Sequence, residues 1–129
     1  FDSFSKNNIN LIFARPRFIT PTNSQNMNVD LVTGACILVH KKVFDTIGMF
    51  DDKTFFMYFE DIDWSLRLKN AGISILYIPS IKVVHYGGAS SDQDARQKNI
   101  NYQEGLKKYI RKHRGMFIEK INELLGFFR

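Results

Sequence analysis

The spacing of apolar positions changes character along this chain and predicts a short series of elements. Residues 1 to 28 are rich in Asn, Ser, Thr and Pro; the cluster ITPTNSQNMN has neither helical nor strand period and predicts loop, with NINLIF as a short strand. From Val29 the run VDLVTGACILVH is dense in β-branched and apolar residues, which predicts a buried strand interrupted near Gly34, where Gly34 and Ala35 keep the chain small. KKVFDTIG sets Val43, Phe44 and Ile47 at helical spacing, with Gly48 as the stop. Glu60 to Ala71 places Trp64, Leu68 and Ala71 on one face and ends at Gly72, the pattern of a helix packed on a sheet. ISILYIP and IKVVHYGG predict two short strands separated by Pro79 and Ser80. After Ser91 the chain becomes a long polar helix, DARQKNINYQEGLKKYIRKHRG, followed by MFIEKINELLGFF, where Phe117, Ile121, Leu124, Leu125 and Phe128 share a face.

This order of strands and helices indicates an α/β or α+β domain. A chain of 129 residues with 44% hydrophobic content can bury one core, and the change at about residue 92 divides it into a domain over 1–92 and a basic amphipathic helical extension over 93–129. No apolar run approaches the roughly 18 to 20 residues of a spanning helix. The lone cysteine, Cys36, has apolar neighbours and no partner for a disulfide or zinc cluster, which fits an inert thiol and a cytoplasmic setting. The chain opens at Phe1 without a charged leader and reads as an internal piece of a longer protein. The net charge of +5 is concentrated: residues 1 to 93 hold nine basic and nine acidic side chains, residues 94 to 129 nine basic and four acidic. Such a tail is first a solvated helix face and next a surface for anionic lipid; a nucleic-acid binder would carry a recognition motif that is missing here.

The densest chemistry lies in FDDKTFFMYFEDIDW, where an aromatic run leads into Glu60, Asp61 and Asp63 at the start of a helix. Acidic residues in a first turn stabilise the helix dipole and cap free N–H groups, and Asp63 can pair with Arg67 one turn on. A cap needs one carboxylate, whereas five stand between Asp51 and Asp63. A step of two or three residues around the helix turns Asp63 away from Glu60 and Asp61, so one carboxylate can face a cleft while another forms ion pairs.

The stretch from Val29 to Ser90 resembles the second half of the catalytic domain in bacterial family 2 glycosyltransferases, especially the rhamnosyltransferase-like members. The matching order is a small-residue strand, a helix, the aromatic acidic motif, a helix ending at glycine, and a His-containing strand followed by glycines. The resemblance implies the C-terminal part of a GT-A fold, a mixed sheet flanked by helices, from an inverting enzyme that moves a sugar from a nucleotide-sugar donor to a glycan or lipid-linked acceptor. Rhamnose from dTDP-rhamnose is the donor it suggests, in cell-surface polysaccharide synthesis. Carried over residue by residue, it makes Asp61 the base that takes the acceptor proton and Glu60 the residue that orients the acceptor. Gly34, Ala35, Asp63 and Trp64 fall on its substrate side, although Trp64 also suits core packing beside Leu68.

The resemblance further suggests that His85 faces the nucleotide diphosphate and a divalent metal, Mg or Mn, and that Gly87 and Gly88 let backbone approach a ligand. A satisfied histidine and a plain turn are the alternative readings of those residues. The family's nucleotide-binding half and its Asp-x-Asp metal motif are expected upstream of Phe1; the Asp61 to Asp63 pair belongs to the later acidic motif. A fragment of this kind is expected to be inactive alone and, with unpaired strand edges, to self-associate. The basic tail suits docking on the inner membrane face. The rival reading is a non-catalytic carbohydrate- or protein-binding module whose acidic cluster only caps a helix.

Overall fold

The computed structural model describes residues 24–85 and 95–126. NINLIF, Gly87, Gly88, Asp94 and Phe128 lie outside the described residues. In chain order the elements are β1 (Met27–Val29), α1 (Lys41–Ile47), α2 (Glu60–Asn70), β2 (Ile75–Tyr77), α3 (Ala95–Arg114) and α4 (Met116–Leu124). The architecture is a helix-rich α/β one. β1 and β2 pair antiparallel, with Asn28 opposite Leu76.

The helices end where sequence chemistry ends them. His40 Nδ1 accepts from the Lys42 N–H at 3.2 Å and caps α1, and Gly48 closes it at φ 76°. At the end of α2 the Gly72 N–H donates to Lys69 O and the Ile73 N–H to Leu68 O, at 3.0 Å each. This is the paired-bond cap that needs a left-handed residue, supplied by Gly72 at φ 71°.

The strand predicted over Val29 to His40 does not form; only Val29 belongs to β1, and the chain from Asp30 to Gly34 runs alongside α2 instead, before a turn at residues 34–36. Asp30 pairs with Lys69 at 2.9 Å, the Val32 N–H donates to Ser65 Oγ at 3.4 Å, and the Gly34 N–H donates to Asp61 Oδ2 at 3.0 Å. Two residues of extended chain cover nearly the same length as four of helix, roughly 6 to 7 Å, so the contacts keep step. Backbone donors that a sheet ladder would use are spent on helix side chains. Residues 81–85 also stay out of a sheet and expose Val84. Among the described residues no third strand offers them a partner.

The core lies between α2 and α3. Phe55, Phe59, Ile62 and Leu106 are buried together, with Leu31, Tyr58, Tyr102, Tyr109 and Ile110 packed around them. The stripe Tyr102, Leu106, Tyr109, Ile110 follows helical spacing, so α3 presents one apolar face to α2. Beyond Gly115, at φ 86°, the chain reverses: Arg111 binds Glu119 and Lys107 binds Glu123, so α4 folds back antiparallel on α3. α4 turns two of its polar residues inward. Glu119 and Asn122 are buried, while Phe117 and Leu124 are 75% and 86% exposed.

Candidate active site

Two consecutive residues ahead of α2 take a backbone shape that L residues rarely adopt: Tyr58 at φ 67° and Phe59 at φ 71°. Each such position costs on the order of 1 to 3 kcal/mol and persists only where its surroundings enforce it. Here they do. The Phe59 ring is buried against Tyr102 and Tyr109, with centroids 5.1 and 5.7 Å away, and it closes over Gly105. Pinning Phe59 sets the direction in which α2 leaves, and so where Glu60 and Asp61 stand.

Asp61 is half-buried. Its Oδ1 accepts from the Ile62 N–H at 2.8 Å and its Oδ2 from the Gly34 N–H at 3.0 Å. The sequence-predicted residues Gly34 and Asp61, 27 positions apart, are therefore brought together, with Ala35 next in the exposed loop. Both recorded donors to Asp61 are backbone amides, the pattern of a cap. A carboxylate has about four lone-pair sites, so two remain for other donors.

Glu60 stands beside it in a different state. Burial raises its carboxyl above the usual range, and the Asp61 charge adds to that. Its Oε2 is buried without a hydrogen-bond partner among the described residues. An orphaned carboxylate oxygen next to a second carboxylate is a group poised to hold or receive a proton.

Asp63 faces inward and is fully buried. Its Oδ2 accepts from Arg67 Nε at 2.9 Å, the pairing expected from the sequence; its Oδ1 meets Lys112 Nζ at 2.7 Å and His113 Nε2 at 2.8 Å. Burial alone would push this carboxyl up, but the bonds from His113, Lys112 and Arg67 outweigh it and hold it at about 2. Arg67 also donates to the carbonyls of Ile47 and Met49, fastening the end of α1 to α2. Trp64 is 1% exposed, packs between Phe44 and Phe50 and donates Nε1–H to Gly48 O at 3.0 Å, so it is a core residue.

His85 is exposed at the end of residues 81–85, and no hydrogen bond among the described residues joins it to the acidic segment. A divalent ion needs several oxygen or nitrogen ligands. Among the described residues no group of three His, Cys, Asp or Glu side chains stands close enough to hold one by itself. Lys112, His113, Gly105 and Ser65 escaped the sequence reading. The α3 stripe was the available signal, because Gly105 and Lys112 sit within its helical spacing.

The Gly34 loop and the acidic segment at the start of α2 fall inside a region of known kinship. A family model described as Glycosyltransferase like family 2 matches residues 8–103. The chain belongs to that family. An N-acetylglucosaminyl-diphospho-decaprenol L-rhamnosyltransferase of Mycobacterium tuberculosis is 39% identical over 66 residues, covering 51% of this chain and 21% of the relative. The dTDP-rhamnosyl transferase RfbF of Shigella flexneri is 33% identical over 89 residues, 67% of this chain and 29% of the relative. The rhamnosyltransferase WbbL of Escherichia coli K12 is 41% identical over 58 residues, 45% of this chain and 22% of the relative. The matched part of this chain thus spans between about a fifth and under a third of these glycosyltransferases' length. No solved structure matches it. In this family 2 chain the matched region contains all of the acidic segment but stops within α3, leaving Glu104–Arg114 and α4 beyond it.

Proposed function

We propose that this chain is the acceptor-side part of a GT-A domain in an inverting glycosyltransferase. The whole enzyme moves a sugar from a nucleotide-sugar donor to a glycan or lipid-linked acceptor in cell-surface polysaccharide synthesis. Rhamnose is the donor sugar suggested by the names of the relatives. The observation that carries the reading is the Asp61 carboxylate, half-buried, oriented by the Gly34 and Ile62 N–H groups, and retaining accepting capacity.

An alcohol is a weak nucleophile until its proton is taken. In this proposal the Asp61 carboxylate accepts the acceptor's hydroxyl proton while the oxygen attacks the anomeric carbon. The bond from that carbon to the diphosphate breaks on the opposite face, so the nucleotide leaves with the electron pair and configuration inverts. Glu60, with its carboxyl raised, orients the acceptor by hydrogen bonding. The nucleotide site of such an enzyme belongs to other parts of the protein; His85 would face the diphosphate and its divalent metal, and a His85→Ala variant assayed for sugar transfer tests that role.

Asp61→Asn in the full-length protein tests the base. Transfer falling by about 10²-fold or more with donor binding retained supports it, the range a positioned base contributes. Unchanged transfer leaves Asp61 as a helix cap and favours a non-catalytic binding module.

A second part of the proposal concerns place. No helix among the described residues is long and apolar enough to cross a membrane. α4 nevertheless turns Met116, Phe117, Leu124 and Leu125 outward, with exposed Lys120 among them and Arg114 at its start. An apolar face with cations at its edge complements an anionic lipid surface. This supports peripheral contact with the inner membrane face, where a lipid-linked acceptor would be met.

A further inference from the structure

The start of α2 is gripped from opposite sides. Asp61 and Asp63 are two residues apart, about 200° around the helix, so one faces the Gly34 loop while the other faces α3. Arg67 satisfies only Oδ2 of Asp63. The second oxygen, fully buried, has its partners on the last turns of α3: Lys112 at 2.7 Å and His113 at 2.8 Å. Lys112 also reaches Asp51 Oδ2 at 2.8 Å, and so ties the turn before the aromatic run to the same point. Asp51 in turn accepts from the Thr54 N–H at 3.0 Å, which fixes the entry to Phe55.

The other hold is steric. Phe59 keeps its left-handed backbone with its ring over Gly105 of α3, where any larger residue would collide with it. Gly105, Lys112 and His113 all lie beyond residue 103, where the match to the family ends. The residues that aim the acidic pair therefore come from a part of the chain that the family match does not include.

We infer that the second half of α3 is the positioning element of the active site: Lys112 and His113 acting through Asp63, and Gly105 acting through Phe59, set the direction in which Glu60 and Asp61 meet the acceptor. This rests on the transferase reading above. The three α3 residues are positioning residues and touch no substrate.

The test uses the full-length protein carrying Lys112→Gln, His113→Gln, both together, and both in an Asp63→Asn background, with transfer kinetics and amide hydrogen exchange of residues 58–63 as readouts. The double variant is expected to lower kcat by roughly 10- to 100-fold at nearly unchanged donor KM, the cost of misplacing a reacting group by about an ångström. Exchange at residues 58–63 rises in parallel. In the Asp63→Asn background the same changes add less than about twofold, because they act through a carboxylate already removed. Lys112→Arg, which can still reach both carboxylates, restores kcat.

Unchanged kcat per folded molecule, or effects that add in full to Asp63→Asn, would overturn the proposal. A helix that only stabilises the fold lowers the melting temperature and leaves kcat intact. If the wild-type protein transfers no sugar, the transferase reading falls, and the exchange measurement still decides whether α3 holds the acidic segment.

Discussion

Phe59 occupies the space that a side chain on Gly105 would need: a Cβ there would stand 2.7 Å from Phe59 Cδ2 and 3.3 Å from the Tyr58 carbonyl oxygen. Gly105→Ala would ordinarily gain about 1 kcal/mol in a helix interior. Here the neighbours are a ring buried on all sides and a backbone already in a strained region, so neither can yield cheaply. The substitution is expected to destabilise by a net of up to about 2 kcal/mol, since overpacking costs roughly 1 to 3. Urea unfolding measures this directly. A variant more stable than the wild type would mean that Phe59 is not held by α3.

Acid should unfasten the same region through Asp63. Its carboxyl is held at about 2 in the folded protein against an ordinary value of 3.8. A depressed carboxyl gives stability that is complete above its unfolded value and is lost as pH falls through the folded one. The window is therefore about pH 4 down to pH 2, and the amount on the order of 2 kcal/mol. Asp63→Asn should be less stable at neutral pH and should flatten the stability profile in that window. An unchanged profile would show that the Lys112, His113 and Arg67 bonds contribute nothing net.

Glu60 predicts the opposite sign. Its raised carboxyl means that ionising it in the folded state works against stability above its ordinary value. Glu60→Gln should thus keep or gain stability at pH 7, and the difference should vanish on acidification below the ordinary carboxyl range, where the wild-type carboxyl is neutral. Transfer should fall in the same variant. A residue that costs stability yet supports activity is the mark of a functional group, whereas lost stability on substitution would make Glu60 structural.

The outward face of α4 predicts binding to vesicles. Co-sedimentation of the full-length protein should be stronger with anionic than with neutral lipid and should weaken with salt. Phe117→Ser and Leu124→Ser should each reduce it by about tenfold or more, given roughly 1.5 to 3 kcal/mol for burying such a side chain. Both residues are largely exposed, so the fold should tolerate the changes. Equal binding by variants and wild type would assign that face to another surface.

Much of the local structure was legible because its causes are local. Val43, Phe44 and Ile47 before Gly48, and Trp64 and Leu68 before Gly72, write helix and stop into adjacent positions, and α1 and α2 end there. The acidic segment and the Asp63 to Arg67 pair were equally visible, since both sit within one or two turns. The run from Val29 to His40 misled for a physical reason: a β-rich sequence becomes a strand only where neighbours supply the ladder, and here Ser65 and Asp61 side chains take the donors.

The helices, their glycine stops and the concentration of carboxylates behind an aromatic run follow from the order of residues alone. Tertiary structure alone decided which carboxylate is pinned and which retains accepting capacity, because Lys112 and His113 reach Asp63 from some 50 residues away and Gly105 shapes the backbone of Phe59 from another helix. Local patterns record how a segment curls on itself. A partner half the chain away leaves no such trace, and its effect appears only when the two surfaces meet.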